Sequence, residues 1–232
     1  MKKQVFVIHG WTYSLDKWAD VTAALKKRGI DVVLLKVPGL TSPSTKTWDI
    51  AGYVDWLNKQ LKHTEKPIVI GHSNGGRIAL AFTQKFPDKI HKLILIDSAG
   101  VAHNKLVPRA KLKVLRGVSK AGKALSRVPP VKTAFYKIIG AQDYLNAPPN
   151  MKRTMQNMLQ ADQTMNFQAV RVPTTIIWGR DDAITPIKDG RKLEKSIANA
   201  KLFTVDNARH APFFSHPDEV ADLIINVLAE ET

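Results

Sequence analysis

Short apolar runs of strand length alternate with longer amphipathic stretches along most of the 232-residue chain. A strand inside a parallel sheet is buried on both faces, so continuous apolar runs favour such strands, and amphipathic stretches favour helices that cover the sheet. The predicted strands are 4–8, 31–37, 67–70, 92–96, 174–178 and 201–205. The predicted helices are 14–28, 48–61, 77–82, 187–197 and 217–229. This order predicts an α/β fold, with a mostly parallel six-stranded sheet and helices on both faces.

One connection is far longer than a strand–helix–strand crossover needs. The segment 98–172 separates the fourth predicted strand from the fifth, and it contains two apolar stripes at helical spacing. We therefore predict a helical cap (lid) at 98–172, inserted into a core of 1–97 and 173–232, over the strand ends where ligands bind in open α/β sheets. Plain core packing is the alternative interpretation of the stripes. They comprise Val131, Ala134, Phe135, Ile138 and Ile139, and then Met151, Met155, Met158 and Leu159.

The most informative motif is Gly-x-Ser-x-Gly at residues 71–75, between an apolar strand and an apolar helix. In that setting the pattern is typical of a nucleophile elbow, a sharp turn that exposes a serine hydroxyl. The turn leaves no room for neighbouring side chains, which explains Gly71 and Gly75, while Gly76 lets the helix approach the sheet. Unpaired N–H groups at the helix N-terminus face any negative charge that develops beside the serine. Ser73 is therefore the predicted nucleophile.

A serine hydroxyl is a weak nucleophile near neutral pH and needs an adjacent base that a carboxylate orients. The loop after the fifth predicted strand carries Asp181 and Asp182, and the loop after the sixth carries His210. A further acid, Asp97, directly follows the fourth strand. Because the carboxyl ends of parallel strands meet at one edge of a sheet, these loops emerge together with Ser73. Their position in the sequence alone leaves the choice of acid open.

These motifs and their order resemble the α/β-hydrolase superfamily, in its capped, esterase-like branch, over essentially the whole chain. The resemblance implies that His210, in a His-x-Pro motif, is the base, and that Asp182, three residues beyond a strand-ending glycine, is the acid. Asp97 stands where some relatives carry their acid and is the alternative, while Asp181 is expected to brace the turn. The first strand corresponds to the family's third, so we expect a shortened sheet without the usual N-terminal antiparallel hairpin.

The same resemblance implies an oxyanion hole made of two backbone N–H groups. One belongs to Asn74, directly after the nucleophile, and the other to Trp11, in the loop after the first strand. His9 and Gly10 resemble the family's motif before that donor, and packing beneath the loop is the alternative role of His9. The expected chemistry is hydrolysis of a carboxylic ester or thioester of an acyl chain through an acyl-enzyme on Ser73, without a metal or cofactor.

Composition changes the expected partner rather than the expected chemistry. Lys and Arg number 35 against 20 Asp and Glu, a net charge of +15, and the absence of cysteine excludes a thiol nucleophile. Residues 101–160 hold twelve cations and one acid, so this segment carries +11 of the +15. Concentrated positive charge favours an acidic partner. By resemblance to carrier-linked methyl-ester carboxylesterases, we expect an acyl-carrier protein, with anionic acyl substrates or anionic membrane surfaces as alternatives.

Two other functions are compatible with the sequence. C–C bond hydrolases of the same superfamily share the triad, and a basic module that binds lipid or nucleic acid by charge alone is a different class. An intact triad in chain order argues against a purely binding role, so nucleic acid is not the expected partner. No apolar run reaches the length of a transmembrane helix, and a cytoplasmic location is expected.

Overall fold

The computed structural model describes residues 4–103 and 147–229, and within them the chain forms a six-stranded sheet. Its strands are β1 (Gln4–Ile8), β2 (Asp31–Leu35), β3 (Ile68–His72), β4 (Lys92–Ile96), β5 (Thr174–Gly179) and β6 (Ala200–Val205). The spatial order is β2-β1-β3-β4-β5-β6, and every neighbouring pair is parallel. The predicted six-stranded sheet is confirmed, and it is parallel throughout.

Helices cover both faces of this sheet, as the α/β prediction requires. On one face lie α1 (Ala19–Lys27), the short α6 (Pro212–Ser215) and α7 (Pro217–Ala229). On the other face lie α2 (Ile50–Gln60), α3 (Asn74–Lys85), α4 (Pro149–Ala161) and α5 (Ile187–Ser196). Among the described helices, none has the length and hydropathy that crossing a membrane requires.

Each central strand contributes side chains to two hydrophobic cores. In β1, Val5 and Val7 pack toward α1 and α7, whereas Phe6 and Ile8 pack toward α2 and α3. All four side chains are buried. Because successive side chains of a strand point to opposite faces and both faces are covered, consecutive positions are apolar. This double burial accounts for the continuous apolar runs from which the strands were predicted.

Three helices differ from the prediction at their N-termini, and α3 begins at Asn74 rather than at residue 77. The predicted helix 14–28 begins as a 3-10 turn, Asp16–Trp18, which precedes α1. The predicted helix 48–61 begins at Ile50, because the side chain of Asp49 accepts a hydrogen bond from a backbone N–H of the first turn. Such a cap satisfies a backbone donor that has no partner inside the helix, and it therefore sets where the helix starts.

The predicted cap lies only partly within the described residues. Residues 104–146, which include the first of the two apolar stripes, are outside them, so the division into core and cap stays a prediction. The second stripe is helical, as expected, and forms α4. Its Met151 and Met158 are buried in the core that contains α2, which agrees with plain core packing for these two residues. The backbone N–H of Trp48 donates to Thr154 Oγ1 at 2.9 Å and thereby fixes α4 against the loop before α2.

A buried carboxylate joins the ends of β4 and β5. Asp97 directly follows β4, its side chain is fully buried, and its Oδ1 accepts a hydrogen bond from the Gly179 N–H at 2.8 Å. Within the described residues, Asp97 Oδ2 has no hydrogen-bond partner. Burial raises the pKa of Asp97 well above its ordinary value, and the nearby charge of Asp182 adds to this effect. The folded protein therefore holds a proton on Asp97 up to a higher pH than the unfolded chain does.

This pKa shift predicts that Asp97→Asn gains stability relative to the parent protein as pH rises. The unfolded chain ionises Asp97 at about pH 4, whereas the raised pKa moves ionisation in the folded protein to higher pH, so the free energy of unfolding of the parent falls as pH rises above that point. Asparagine does not titrate and avoids this loss. Urea unfolding between about pH 4 and about pH 7 should show a growing advantage of Asp97→Asn. A difference that stays constant over this pH range would contradict the assignment.

Candidate active site

Ser73 lies on a sharp turn between β3 and α3. Its backbone has φ 50° and ψ −117°, a sparsely populated conformation for a residue other than glycine, which costs on the order of 1–3 kcal/mol. The neighbouring glycines make the turn possible. A Cβ on Gly71 would lie 2.6 Å from Gly76 Cα, and a Cβ on Gly75 would collide with the carbonyl oxygen of Ile8. The geometry is that of the predicted elbow.

Hydrogen bonds from three neighbouring segments hold the strained turn. The Ser73 N–H donates to the carbonyl of Ile96 at 3.1 Å, at the end of β4. The Ser73 carbonyl accepts from the N–H of Arg77 in α3 at 3.2 Å and from the N–H of Ala99 at 3.0 Å. Because the backbone is fixed on both sides, the Ser73 side chain points in a defined direction.

Three predicted side chains form a continuous hydrogen-bonded line. His210 Nε2 lies 2.9 Å from Ser73 Oγ, and His210 Nδ1 lies 2.7 Å from Asp182 Oδ2. The Asp182 side chain is fully buried, and that of His210 is 19% exposed. A proton on Nδ1 directed at the carboxylate leaves the Nε2 lone pair facing the serine hydroxyl. This arrangement can remove the Ser73 proton as attack begins.

The carboxylate of Asp182 is held by its own loop. Its Oδ1 accepts hydrogen bonds from the backbone N–H groups of Ile184 at 2.7 Å and Thr185 at 3.1 Å. The Thr185 hydroxyl lies 2.7 Å from Asp182 Oδ2 and 3.1 Å from the carbonyl of Asp97, so its single hydrogen favours the carboxylate. These bonds orient Asp182 toward His210. Thr185 is a contributor that the sequence did not reveal.

Asp97, the alternative acid, and Asp181, expected to brace the turn, do not bond the imidazole of His210. An Asp97 carboxylate oxygen lies within 4.8 Å of a ring nitrogen of His210, but Asp97 Oδ1 bonds the β5 backbone instead. Asp182 is therefore the carboxylate that contacts the imidazole. The main chain of Asp181 ties the acid loop to the base loop, since its N–H donates to the carbonyl of Ala208 at 2.9 Å.

The loop after β1 passes directly over Ser73. A Cβ on Gly10 would lie 3.0 Å from Ser73 Cβ, which leaves room for nothing larger than glycine there. His9 is buried beneath this loop, with Nδ1 2.7 Å from the Gly10 carbonyl and Nε2 2.7 Å from Thr41 Oγ1. Burial lowers the pKa of His9, which favours its neutral form. The loop brings Trp11 to the same cavity as Asn74, at the N-terminus of α3.

His72, inside the Gly-x-Ser-x-Gly motif, links the nucleophile strand to the base loop. Its Nε2 lies 2.7 Å from the carbonyl of His210, and because a carbonyl only accepts, Nε2 carries the hydrogen. Burial, reinforced by the neighbouring His210, lowers the pKa of His72 well below its ordinary value. The ring packs edge-on against Trp18 and Phe213. Nothing in the sequence indicated that His72 has a structural role, because its hydrogen-bond partner lies 138 residues away.

A buried arginine joins α3 to the end of α4. Arg77 Nε lies 2.6 Å from Asp162 Oδ1, and Nη2 lies 3.0 Å from Asp162 Oδ2. The third nitrogen, Nη1, donates to Asn74 Oδ1 at 2.6 Å. The ion pair is largely buried, since the side chains of Arg77 and Asp162 are 5% and 10% exposed. In the sequence, the only indication of this ion pair was an arginine at the start of the otherwise apolar run 77–82.

A cavity of about 250 Å³ opens beside Ser73. Met155 and Leu159 of α4 help to line it, so part of the predicted cap segment reaches the site. The described lining is rich in apolar side chains, as a site for an acyl chain requires. It comprises Gly10, Trp11, Thr12, Ser14, Lys17, Trp18, His72, Ser73, Asn74, Arg77, Ala99, Met155, Leu159, Ile184, Thr185, His210, Ala211 and Phe213.

In the part of the chain that the structure describes, one group of side chains has the spacing of metal ligands. It consists of His72, Asp97 and His210, whose donor atoms lie within 4.8 Å of one another. Most of the nitrogen donors already have partners: His72 Nε2 bonds a carbonyl, and the two nitrogens of His210 face Ser73 and Asp182. The donor set therefore fits the hydrogen-bonded line better than a metal ion.

Solved structures similar to this chain share its fold. MGS-MChE2, an alpha/beta hydrolase enzyme from a sediment metagenome of the lagoon of Mar Chica, Morocco, superposes with a TM-score of 0.73 at 21% identity, covering 100% of this chain and 92% of the other. A thermophilic esterase from Thermogutta terrifontis has a TM-score of 0.70 at 22% identity, covering 98% of this chain and 90% of the other.

Sequence comparison leads to the same group of proteins. Human monoacylglycerol lipase ABHD6 is 26% identical over 98% of this chain and 76% of its own length. The pimeloyl-[acyl-carrier protein] methyl ester esterase of Chromobacterium violaceum is 28% identical over 97% of this chain and 92% of its own. The profile of the alpha/beta hydrolase family matches residues 5–223. Since that match spans nearly the whole sequence, the chain belongs to the alpha/beta hydrolase family.

Proposed function

We propose that this protein is a serine hydrolase that cleaves a carboxylic ester or thioester of an acyl chain. The observation that carries the proposal is the line from Ser73 Oγ through His210 to Asp182, with contacts of 2.9 and 2.7 Å, at the edge of an apolar cavity. Ester hydrolysis is placed before C–C cleavage because the two named sequence relatives are a lipase and an esterase. A purely binding role would not need this arrangement.

In the first half of the reaction, Ser73 Oγ attacks the acyl carbon while its proton moves to His210 Nε2. Asp182 holds the imidazole in the required orientation and stabilises the imidazolium that forms. Negative charge then develops on the former carbonyl oxygen. The backbone N–H groups of Trp11 and Asn74 are proposed to receive it, and one such donor typically contributes about 3 kcal/mol to transition-state stabilisation.

In the second half, the tetrahedral intermediate collapses and the alcohol or thiol leaves with the proton from His210. This leaves the acyl group on Ser73 as an ester. A water molecule then gives a proton to His210 and attacks the acyl carbon, and collapse of the second intermediate returns that proton to Ser73 Oγ. The products are a carboxylic acid and the alcohol or thiol.

We further propose that the acyl chain is presented by an acidic acyl-carrier protein. The support is the +11 charge of residues 101–160 and the carrier-linked ester in the name of a relative 28% identical to this chain. Ten of the twelve cations lie at 104–146, outside the described residues, while Lys152 and Arg153 lie on α4. Free anionic acyl substrates and anionic membrane surfaces are the alternatives.

The nucleophile assignment predicts a single reactive serine. A fluorophosphonate probe should label Ser73, because the probe reacts with a serine that a base activates. Ser73→Ala should not be labelled, and its esterase activity should fall by about 10³-fold or more. Circular dichroism should show that the fold is retained. Intact-mass and peptide mapping identify the labelled residue. Labelling at another serine, or undiminished hydrolysis by Ser73→Ala, would refute the assignment.

The acid assignment predicts unequal effects of two matched substitutions. Asp182→Asn should lower kcat by about 10⁴-fold, because an amide favours the wrong imidazole tautomer. Asp97→Asn should retain most of the activity, since Asp97 Oδ1 bonds the Gly179 backbone rather than the ring. The measurement is kcat and KM of both variants with one chromogenic acyl ester. The reverse ranking would transfer the acid role to Asp97.

The carrier hypothesis predicts a salt dependence that differs between two substrates. Steering by charge is screened beyond a Debye length of roughly 8 Å at physiological ionic strength. Added salt should therefore lower kcat/KM for a carrier-bound acyl ester and leave the same ester without carrier nearly unchanged. Charge reversal at Lys111 and Lys113 should reproduce this selective loss, whereas reversal at Lys26 and Lys27 on α1 should not. Equal salt responses of the two substrates would rule out carrier docking.

A further inference from the structure

The cavity beside Ser73 has a positive charge balance. Its described lining contains the cations Lys17 and Arg77, but no aspartate or glutamate. Asp182 contacts the imidazole from behind and is fully buried. A cavity lined in this way favours a ligand that carries negative charge.

The two cations of the cavity differ in their partners. Arg77 is committed within the protein, because Asp162 accepts two of its hydrogen bonds and Asn74 accepts a third. A buried arginine paired in this manner is neutralised and fixed. Its charge therefore serves the connection between α3 and α4 rather than a ligand.

Lys17 has no such partner. Within the described residues, no carboxylate forms an ion pair with its ammonium group, although Asp16 and Asp20 are close in sequence and do not line the cavity. The ammonium lies 5.4 Å above the ring centre of Phe214, which is itself 52% exposed. A cation held by an aromatic face keeps N–H donors for a ligand. Lys17 is thus an available positive group at the rim of the cavity.

We propose that Lys17 binds an anionic oxygen group, a carboxylate or a phosphate, on the ester substrate. This inference rests on the proposed function and specifies the substrate class: esters with a negative charge beyond the scissile bond. Because the rim is solvated, the contribution is modest, roughly threefold to fivefold in kcat/KM for an exposed ion pair.

The test uses two pairs of esters that differ only in charge. In the first pair, a chromogenic ester of a dicarboxylic acid carries a free distal carboxylate or the matching neutral carboxamide. In the second pair, a monoacylglycerol carries a phosphate on the glycerol or does not. The parent protein should prefer the charged member of one pair. A preference in the first pair indicates a carboxylate on the acyl side, and a preference in the second indicates a phosphate on the alcohol side. No preference in either pair overturns the proposal.

The variants separate Lys17 from general charge effects. Lys17→Met should lower the charged-to-neutral ratio of kcat/KM by roughly threefold to fivefold, mainly through KM, and Lys17→Arg should restore it. Lys26→Met, on α1 and outside the cavity lining, removes the same net charge and should leave the ratio unchanged. An unchanged ratio in Lys17→Met, or equal changes in both lysine variants, contradicts the proposal.

A binding measurement makes the result independent of turnover. Calorimetric titration uses Ser73→Ala, alone and combined with Lys17→Met. It compares the binding of each anionic product with that of its neutral analogue. The anionic products are the free dicarboxylate and glycerol phosphate. Tighter binding of one anion that is lost with Lys17→Met supports the anion site even if no ester is cleaved. Hydrolysis without anion preference would instead refute the Lys17 site and leave the esterase proposal intact.

Discussion

The close approach of the elbow to the end of the first strand is the constraint on which the site depends. A Cβ on Gly75 would collide with the Ile8 carbonyl, and one on Gly10 would lie 3.0 Å from Ser73 Cβ. Both contacts bring the loop that carries Trp11 onto the start of α3. The parallel sheet supplies the frame, since β3, β5 and β6 deliver the loops of the site to one edge. The geometry of the candidate site is a consequence of backbone packing that only glycine permits.

Features encoded by local pattern could be predicted from the sequence. Continuous apolar runs identify the six strands because both faces of the sheet are covered, and the elbow is recognisable because its glycines stand at fixed positions around Ser73. Parallel strands all end at the same edge, so the loops that carry Asp181, Asp182 and His210 could be placed beside the serine without coordinates. The choice of Asp182 as the acid came from the family resemblance. The helix starts were less certain, since a capping side chain such as that of Asp49 shifts them by one or two residues.

Features that depend on one specific long-range contact could not be predicted. The bond from His72 to the His210 carbonyl spans 138 residues, and the pair of Arg77 with Asp162 spans 85. No periodicity or motif reports such a contact, because either residue alone is compatible with many surroundings. The ion pair nevertheless matters for the site, because removing one partner of a buried pair typically costs about 3–5 kcal/mol. Loss of Arg77 would also remove the donor that bonds Asn74 Oδ1.

The two buried carboxylates near His210 show how hydrogen bonds, rather than proximity, separate their roles. Asp182 accepts hydrogen bonds from two backbone N–H groups, from the Thr185 hydroxyl and from the imidazole. Asp97 accepts one, from Gly179, and its other oxygen has no partner within the described residues. A buried negative charge persists only where such donors replace water. These donors suit Asp182 to face the imidazole, whereas burial and the nearby charge of Asp182 raise the pKa of Asp97 well above its ordinary value. Hydrogen bonding thus separates the carboxylate that can stabilise an imidazolium from the one that joins β4 to β5.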